Sequence, residues 1–256
     1  SSSITFLGTG GARIVVAKQI RATGGILFCL EGVNILVDPG PCALVRLISY
    51  LPKFSPLKID YLILTHRHLD HSASVNIIIE AMTESGLKRR GVLIAPSDAL
   101  EDDPVVLRYL RGFLNEIKIL SEGSTYDLNG VKMVAPLRHI HGVETYGLIF
   151  KTKRYSVSYI TDSKYFPALV KKYDSDLAII NLLRDKPSEY DHLSIPDVEK
   201  ILKGNKPRVA YITHFGMTII RLGVWKVARM LSASTGVKVL VAEDGKTVDI
   251  EKVLNG

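Results

Sequence analysis

Residues 61–72 read Tyr61-Leu62-Ile63-Leu64-Thr65-His66-Arg67-His68-Leu69-Asp70-His71-Ser72. A short apolar run leads straight into four side chains able to ligate a metal: His66, His68, Asp70 and His71. Packing asks for no such run. A strand wants apolar alternation and a helix wants an apolar stripe. Imidazoles and one carboxylate at this density suit adjacent metal ions. In extended chain His66 and His68 point the same way, so they grip one ion. Asp70 and His71 follow at the turn into a helix and reach a second. Asp70 then lies near a helix N-terminus, where the backbone dipole favours its ionised form. The bland alternative is a solvated loop that happens to be rich in histidine.

Working outward, Tyr61–Leu64 is a buried strand and 72–84 is predicted helical. Upstream, Ile4–Leu7 reads as a strand, 26–30 and 34–37 as a hairpin, and 43–51 as a helix. Downstream, 92–95 is a strand and 104–114 a helix. The pair Asn129-Gly130 marks a hairpin between 125–128 and 131–135. A second hairpin turns around 151–154. Residues 164–172 are predicted helical and 176–181 a strand. Ser194 is positioned to cap a helix running to 203, with Pro196 in its first turn. Strand 209–213 ends at His214, 221–234 is a helix, and 238–242 and 248–250 are the last strands. Short strands alternating with helices predict a mixed α/β fold, two mixed sheets with helices outside. No linker or composition break divides the chain, so residues 1–256 are expected to form one domain.

The seven histidines, at 66, 68, 71, 139, 141, 192 and 214, all fall in loops or at strand ends. Such loops, held by a rigid sheet, are where sites are built.

The run from Thr65 to His71 resembles the HxHxDH signature of the metallo-β-lactamase superfamily. That family's pattern continues with a His, an Asp and a His, each at a strand end. His141, Asp162 and His214 stand in that order here. The segments Phe6-Leu7-Gly8-Thr9-Gly10 and Val37-Asp38-Pro39-Gly40 also fit, so the resemblance runs nearly end to end. It implies a four-layer αβ/βα sandwich. It implies that His66, His68 and His141 hold one metal, that Asp70, His71 and His214 hold the other, and that Asp162 bridges them. His139 competes for the third position. His141 is preferred because His141-Gly142-Val143-Glu144-Thr145-Tyr146-Gly147 resembles the H-x-x-x-[ST]-Y-G pattern of the ribonuclease Z-like branch. Asp38 is expected to support a ligand histidine without touching metal.

Two divalent ions about 3.5–4 Å apart activate a water and clamp substrate oxygens. Zinc suits imidazole with carboxylate, and manganese or iron stays open. His192, in Asp191-His192-Leu193-Ser194, resembles the histidine that protonates the leaving oxygen in ribonuclease Z-like enzymes. Asp70 joins it as a candidate catalytic residue, and Arg21 is a candidate for binding phosphate. Together these imply a metal-activated hydroxide attacking a phosphodiester: a cyclic phosphodiester, a nucleotide or RNA. Two features depart from that branch. Only the short turn at 151–154 stands where enzymes that process transfer RNA carry a long clamping arm. The strand ending Ile180-Asn181 also lacks the acid expected to orient His192, leaving Asp185, Glu189 or Asp191 as substitutes. The alternatives are an ester, thioester or lactone hydrolase of the same fold, or a basic RNA-binding protein with a non-catalytic metal site.

Composition narrows the setting. The hydrophobic content of 46% predicts a sizeable core. No apolar run reaches the roughly 18 residues of a membrane span, and the N-terminus does not resemble a signal peptide. Cys29 and Cys42 are the only cysteines and do not form a CxxC pair, so cysteine ligation is disfavoured and a reducing cytoplasm is expected. A net charge of +7 fits a nucleic acid or phosphorylated small-molecule substrate, or merely a soluble basic surface. A homo-oligomer is compatible with the composition.

Overall fold

A computed structural model describes residues 1–256. Its strands are β1 (Ser3–Phe6), β2 (Ile26–Leu30), β3 (Val33–Val37), β4 (Tyr61–Ile63), β5 (Val92–Ala95), β6 (Glu116–Ile119), β7 (Thr125–Leu128), β8 (Val131–Val134), β9 (Leu148–Lys151), β10 (Ser156–Ile160), β11 (Leu177–Asn181), β12 (Val209–Thr213), β13 (Lys238–Val241) and β14 (Thr247–Asp249). Its helices are α1 (Arg13–Lys18), α2 (Ala43–Tyr50), α3 (Leu69–Ser72), α4 (Val75–Thr83), α5 (Ile195–Asn205), α6 (Met217–Leu222), α7 (Val224–Thr235) and α8 (Ile250–Asn255).

The strands form two seven-stranded mixed sheets, ordered β14-β1-β2-β3-β4-β5-β6 and β13-β12-β11-β10-β9-β8-β7. Side chains from both sheets interleave in one central cluster, where the Phe28 and Phe150 rings meet tilted by 44° with centroids 4.9 Å apart. Two further clusters lie on the outer faces. One joins the first sheet to α2 and α4 through Leu47, Ile78 and Ile79. The other joins the second sheet to α5 and α7 through Ile201, Val227 and Leu231. The result is helix, sheet, sheet, helix, as the alternation of strands and helices predicts. No helix is long and apolar enough to cross a membrane.

Local chemistry explains several elements. Asn129 and Gly130 take φ of 52° and 94°, the left-handed pair that a tight hairpin needs, and β7 and β8 pair across them. Ser194 and Asp197 form a reciprocal capping box at the start of α5.

Five expectations are corrected. The helix expected over 72–84 is broken into α3 and α4, because the Ser74 N–H donates to Pro39 O at 2.9 Å and ties the break to the loop after β3. The helix over 104–114 is a 3₁₀ segment, Arg108–Phe113. There Arg111 Nη2 satisfies the Leu100 and Val106 carbonyls at 2.6 and 2.8 Å, replacing a helical ladder. The helix over 164–172 shrinks to the 3₁₀ segment Pro167–Val170, whose Leu169 carbonyl is taken by the Asn205 side chain at 2.8 Å. The helix over 221–234 starts at Met217 and is interrupted at Gly223, φ 92°. The last strand stops at Asp249, whose carboxylate accepts the Lys252 N–H at 2.9 Å and starts α8 instead. Strand β6 escaped sequence reading because Glu116-Ile117-Lys118-Ile119 is a partly exposed edge.

Candidate metal centre

β3 and β4 are parallel neighbours in one sheet, and β10, β11 and β12 are parallel neighbours in the other. Their C-terminal ends deliver Asp38, His66, Asp162, Asn181 and His214 to one place. This is where open α/β sheets build sites. Asp38 and His214 hold φ of 52° and 61°, left-handed backbone that non-glycine residues adopt at a cost. Gly11 lies so close to the His214 ring that a Cβ there would overlap it.

The hydrogen bonds set the ring tautomers. The Thr65 hydroxyl donates to Asp38 Oδ2 at 2.6 Å, so His66 Nδ1, 3.0 Å from Thr65 Oγ1, donates to that hydroxyl oxygen. His71 Nδ1 donates to Asp38 Oδ2 at 2.8 Å, and His141 Nδ1 donates to the Asp191 carbonyl at 3.0 Å. Each bond leaves the Nε2 lone pair aimed inward. His68 presents Nδ1, 3.0 Å from His141 Nε2. His71 Nε2 and His214 Nε2 stand 3.1 Å apart, and His214 Nε2 is 3.3 Å from Asp70 Oδ2.

Asp162 touches both groups. Its Oδ2 lies 3.5 Å from His66 Nε2, 4.0 Å from His141 Nε2 and 3.2 Å from His71 Nε2. Its Oδ1 lies 3.4 Å from His214 Nδ1 and 3.6 Å from His192 Nδ1, and accepts from Asn181 Nδ2 at 3.0 Å. Four overlapping sets of donor atoms stand close enough to hold metal. Two of them share no residue: His66, His68 and His141 on one side, and Asp70, His71, Asp162 and His214 on the other. Asp38 with His66 and His71, and His192 with His141 and Asp162, overlap these two groups.

Three observations favour metal over a hydrogen-bonded network. His66 Nε2 is buried with no hydrogen-bond partner, a costly state for a polar atom. The carboxylates of Asp38, Asp70 and Asp162 have only histidines as ion-pair partners, with no Lys or Arg to offset their charge. Ligands about 2.0–2.1 Å from a tetrahedral zinc stand about 3.3 Å apart, and the contacts of 3.0 and 3.1 Å are close to that.

Burial holds the His66 pKa well below 6.5, and burial also lowers His68 and His141. Burial would lower His71 too, but the carboxylates of Asp70, Asp162 and Asp38 overcome it and raise it well above 6.5. Burial would raise Asp162, yet His214, His192 and His71 pull it well below the usual range.

The remaining expected residues take distinct places. His139 is buried with Nδ1 donating to the Asp162 carbonyl at 3.1 Å and Nε2 2.5 Å from the Tyr173 hydroxyl. Both its nitrogens are used, and it joins neither donor group. Arg21 Nη1 donates to Thr9 Oγ1 at 3.0 Å, and its guanidinium lies 5.0 Å over the Phe215 ring, beside His214. The carboxylate within ion-pair distance of His192 is Asp162; Asp185, Glu189 and Asp191 are not. Asp191 serves instead through its carbonyl, on His141. The sequence marks Asn181 only as standing where an acid is expected, and does not mark Tyr173 at all. Each marks its role only through a contact far along the chain, so no local signal could have found them.

A profile described as a beta-lactamase superfamily domain matches residues 33–215. The chain is 30% identical over 263 residues to uncharacterized protein MJ1374 of Methanocaldococcus jannaschii, covering 99% of this chain and 96% of that one. It is 27% identical over 153 residues to ribonuclease Z of Sulfolobus acidocaldarius, covering 59% of this chain and 48% of that one. Among solved structures, the metallo-beta-lactamase fold protein YhfI of Bacillus subtilis superposes with TM-score 0.79 at 22% identity, covering 96% of this chain and 98% of that one. A diphosphatase of the PhnP family gives TM-score 0.74 at 19% identity, covering 98% of each chain. These superpositions show the fold, and the profile match covers most of the length. The chain belongs to the beta-lactamase superfamily, in its metallo-beta-lactamase fold.

Proposed function

We propose that this protein is a dinuclear metal-dependent hydrolase of phosphodiester bonds. What carries the reading is Asp162, a buried carboxylate with one oxygen facing nitrogens of both donor groups. In this reading His66, His68 and His141 hold one ion; Asp70, His71 and His214 hold the other, and Asp162 serves both. Zinc fits the donor set best. Such ions, when bound, bring the pKa of water toward about 7 and offset charge on phosphoryl oxygens.

The chain's own residues supply the rest. Burial would raise the Asp70 pKa, but His71 and His214 hold it below the usual carboxylate range, so it stays an acceptor. Its side chain is 22% exposed, against 2% for Asp162, so it faces the solvent side and orients the attacking water. His192 is also 22% exposed and faces Asp162. It gives its proton to the leaving oxygen as the phosphorus–oxygen bond breaks. The phosphorus centre is supported by the names of two similar proteins, a ribonuclease and a diphosphatase. The short hairpin between β9 and β10, held by Arg154 to Glu31 at 3.1 Å and to Glu251 at 2.5 Å, argues for a compact substrate.

The test is Asp162→Ala, loaded with metal and assayed on bis(p-nitrophenyl) phosphate beside matched thioester and lactone panels. We expect wild-type turnover confined to phosphodiesters and a loss of more than about 10³-fold in the variant. A folded variant with normal turnover removes the site assignment. Turnover of lactones or thioesters alone removes the substrate class.

A further inference from the structure

Beside His192 a cavity of about 380 Å³ opens between α1, the loop after β11 and α6. Its walls carry Arg13, Arg184 and Arg221 and no Asp or Glu. The arginines of this chain that pair with carboxylates are Arg67, Arg90 and Arg154, and these three are not among them. Arg184 Nε is buried with no hydrogen-bond partner, and its guanidinium stands 4.4 Å over the Tyr190 ring. A buried, charged N–H without an acceptor is costly unless a ligand supplies one.

Each wall is tied to the candidate site. The Arg184 N–H donates to the Leu193 carbonyl at 3.3 Å, and the Ile195 N–H donates to the Arg184 carbonyl at 3.0 Å, tying Arg184 to the segment that runs from His192 into α5. Arg221 lies on α6, which leaves the sheet just after His214. Arg13 opens α1, whose approach is fixed by the Gly11 N–H donating to the Phe215 carbonyl at 3.0 Å. The rest of the lining is largely apolar, with Ile14, Leu183 and Met217. Arginine forks match phosphate oxygens, and an aromatic face with apolar walls takes a flat or sugar-like group. The volume is at the small end of ligand pockets, about 300–1,000 Å³, which suits one nucleotide.

We infer that this cavity binds the leaving group of the hydrolysed diester, and that this group carries a second phosphate: it is a phosphorylated nucleoside. The assignment of the cavity to the leaving side rests on the phosphodiesterase reading, because His192 lines it and is the proton donor there. The ligand chemistry is shared by a free nucleotide and by the 3′-phosphorylated end of an RNA.

The experiment is calorimetric titration of the intact, metal-loaded protein with uridine 3′,5′-bisphosphate and uridine 5′-monophosphate, neither of which contains a diester. We expect the bisphosphate to bind about 10-fold tighter or more than the monophosphate. That preference falls by about 10-fold in Arg184→Met and in Arg221→Met. Arg221 is exposed, so its variant keeps the test valid if Arg184→Met does not fold. Lys203→Met, in an exposed pair with Glu199, is the charge control and keeps the preference. A short 3′-phosphorylated oligoribonucleotide separates the sources. Tighter arginine-dependent binding than the bisphosphate points to RNA, and equal binding points to the free nucleotide. A preference that is absent, or that persists in both arginine variants, overturns the pocket. Arginine-dependent preference without phosphodiester turnover keeps the pocket and removes the hydrolase reading. Turnover without the preference does the reverse.

Discussion

The two sides of this site are held differently. The donor side is largely buried, built mainly at the ends of parallel strands and locked by hydrogen bonds that fix the His66, His71 and His141 rings. The arginine side is half open and built from two short helices and a loop, and Arg184 is its one guanidinium stacked on an aromatic ring there. The first is a rigid device whose parts must all be present. The second is a surface that tunes which molecule reaches it. Losses on the donor side should therefore be large and indifferent to substrate. Losses on the arginine side should be graded and depend on substrate.

The sharpest way to break that contrast is His68→Ala. His68 Nδ1 faces His141 Nε2 at 3.0 Å, so its removal strips one of three donors from one group. We expect a loss of more than about 10³-fold on every phosphodiester tried, and fewer ions per chain by elemental analysis. A loss that varied widely with substrate would put His68 on the substrate side of the comparison.

His192 stands between the two sides, against Asp162 and in the lining of the arginine cavity. His192→Ala should cost about 10²–10⁴-fold on alkyl diesters. It should cost far less on p-nitrophenyl esters, whose leaving oxygen needs no proton. Equal losses on the two would deny the general-acid role and leave His192 as a positioning residue for Asp162.

The contrast also explains what the sequence reveals. His66, His68, Asp70 and His71 are legible because one loop carries them all, behind an apolar strand. His141, Asp162 and His214 follow once a family pattern gives their order. The sheets are legible from apolar strands and from turn pairs such as Asn129-Gly130. The arginine cavity is not. Arg13, Arg184 and Arg221 lie on three distant segments, and each alone reads as an ordinary surface charge. The structure singles them out by bringing them together around one cavity whose lining holds no carboxylate, with Arg184 Nε buried and unpartnered beside it. The lost helices fail for a related reason. The Arg111 and Asn205 side chains take the Val106 and Leu169 carbonyls that helical periodicity assigned to the backbone.

The smallest effects come from two buried histidines that should tilt stability in opposite directions. Burial pushes His139 down to about 4 from 6.5. Above pH 6.5 it is neutral in both the folded and unfolded chain. Between pH 6.5 and about 4 the unfolded chain gains a proton that the folded one refuses, so stability falls by up to about 3 kcal/mol. His66, also lowered by burial, adds to the same fall. His139→Gln should shrink that fall, measured by urea unfolding of the metal-free chain at pH 7 and near pH 4. An undiminished fall would mean that His139 is protonated in the folded state. His71 works the other way. Its raised pKa gives the metal-free chain stability that is fully present below pH 6.5 and is lost as pH rises through the folded value. Metal-free protein should thus lose thermal stability on the alkaline side, and His71→Asn should flatten that slope. Ligation demands neutral His71, so loading the metal should release a proton and reverse the tilt. Proton release is read by calorimetry in two buffers of different ionisation enthalpy. A binding heat independent of buffer would place His71 outside the donor set, and the division of the site into a rigid donor side and a tunable arginine side would then need a different boundary.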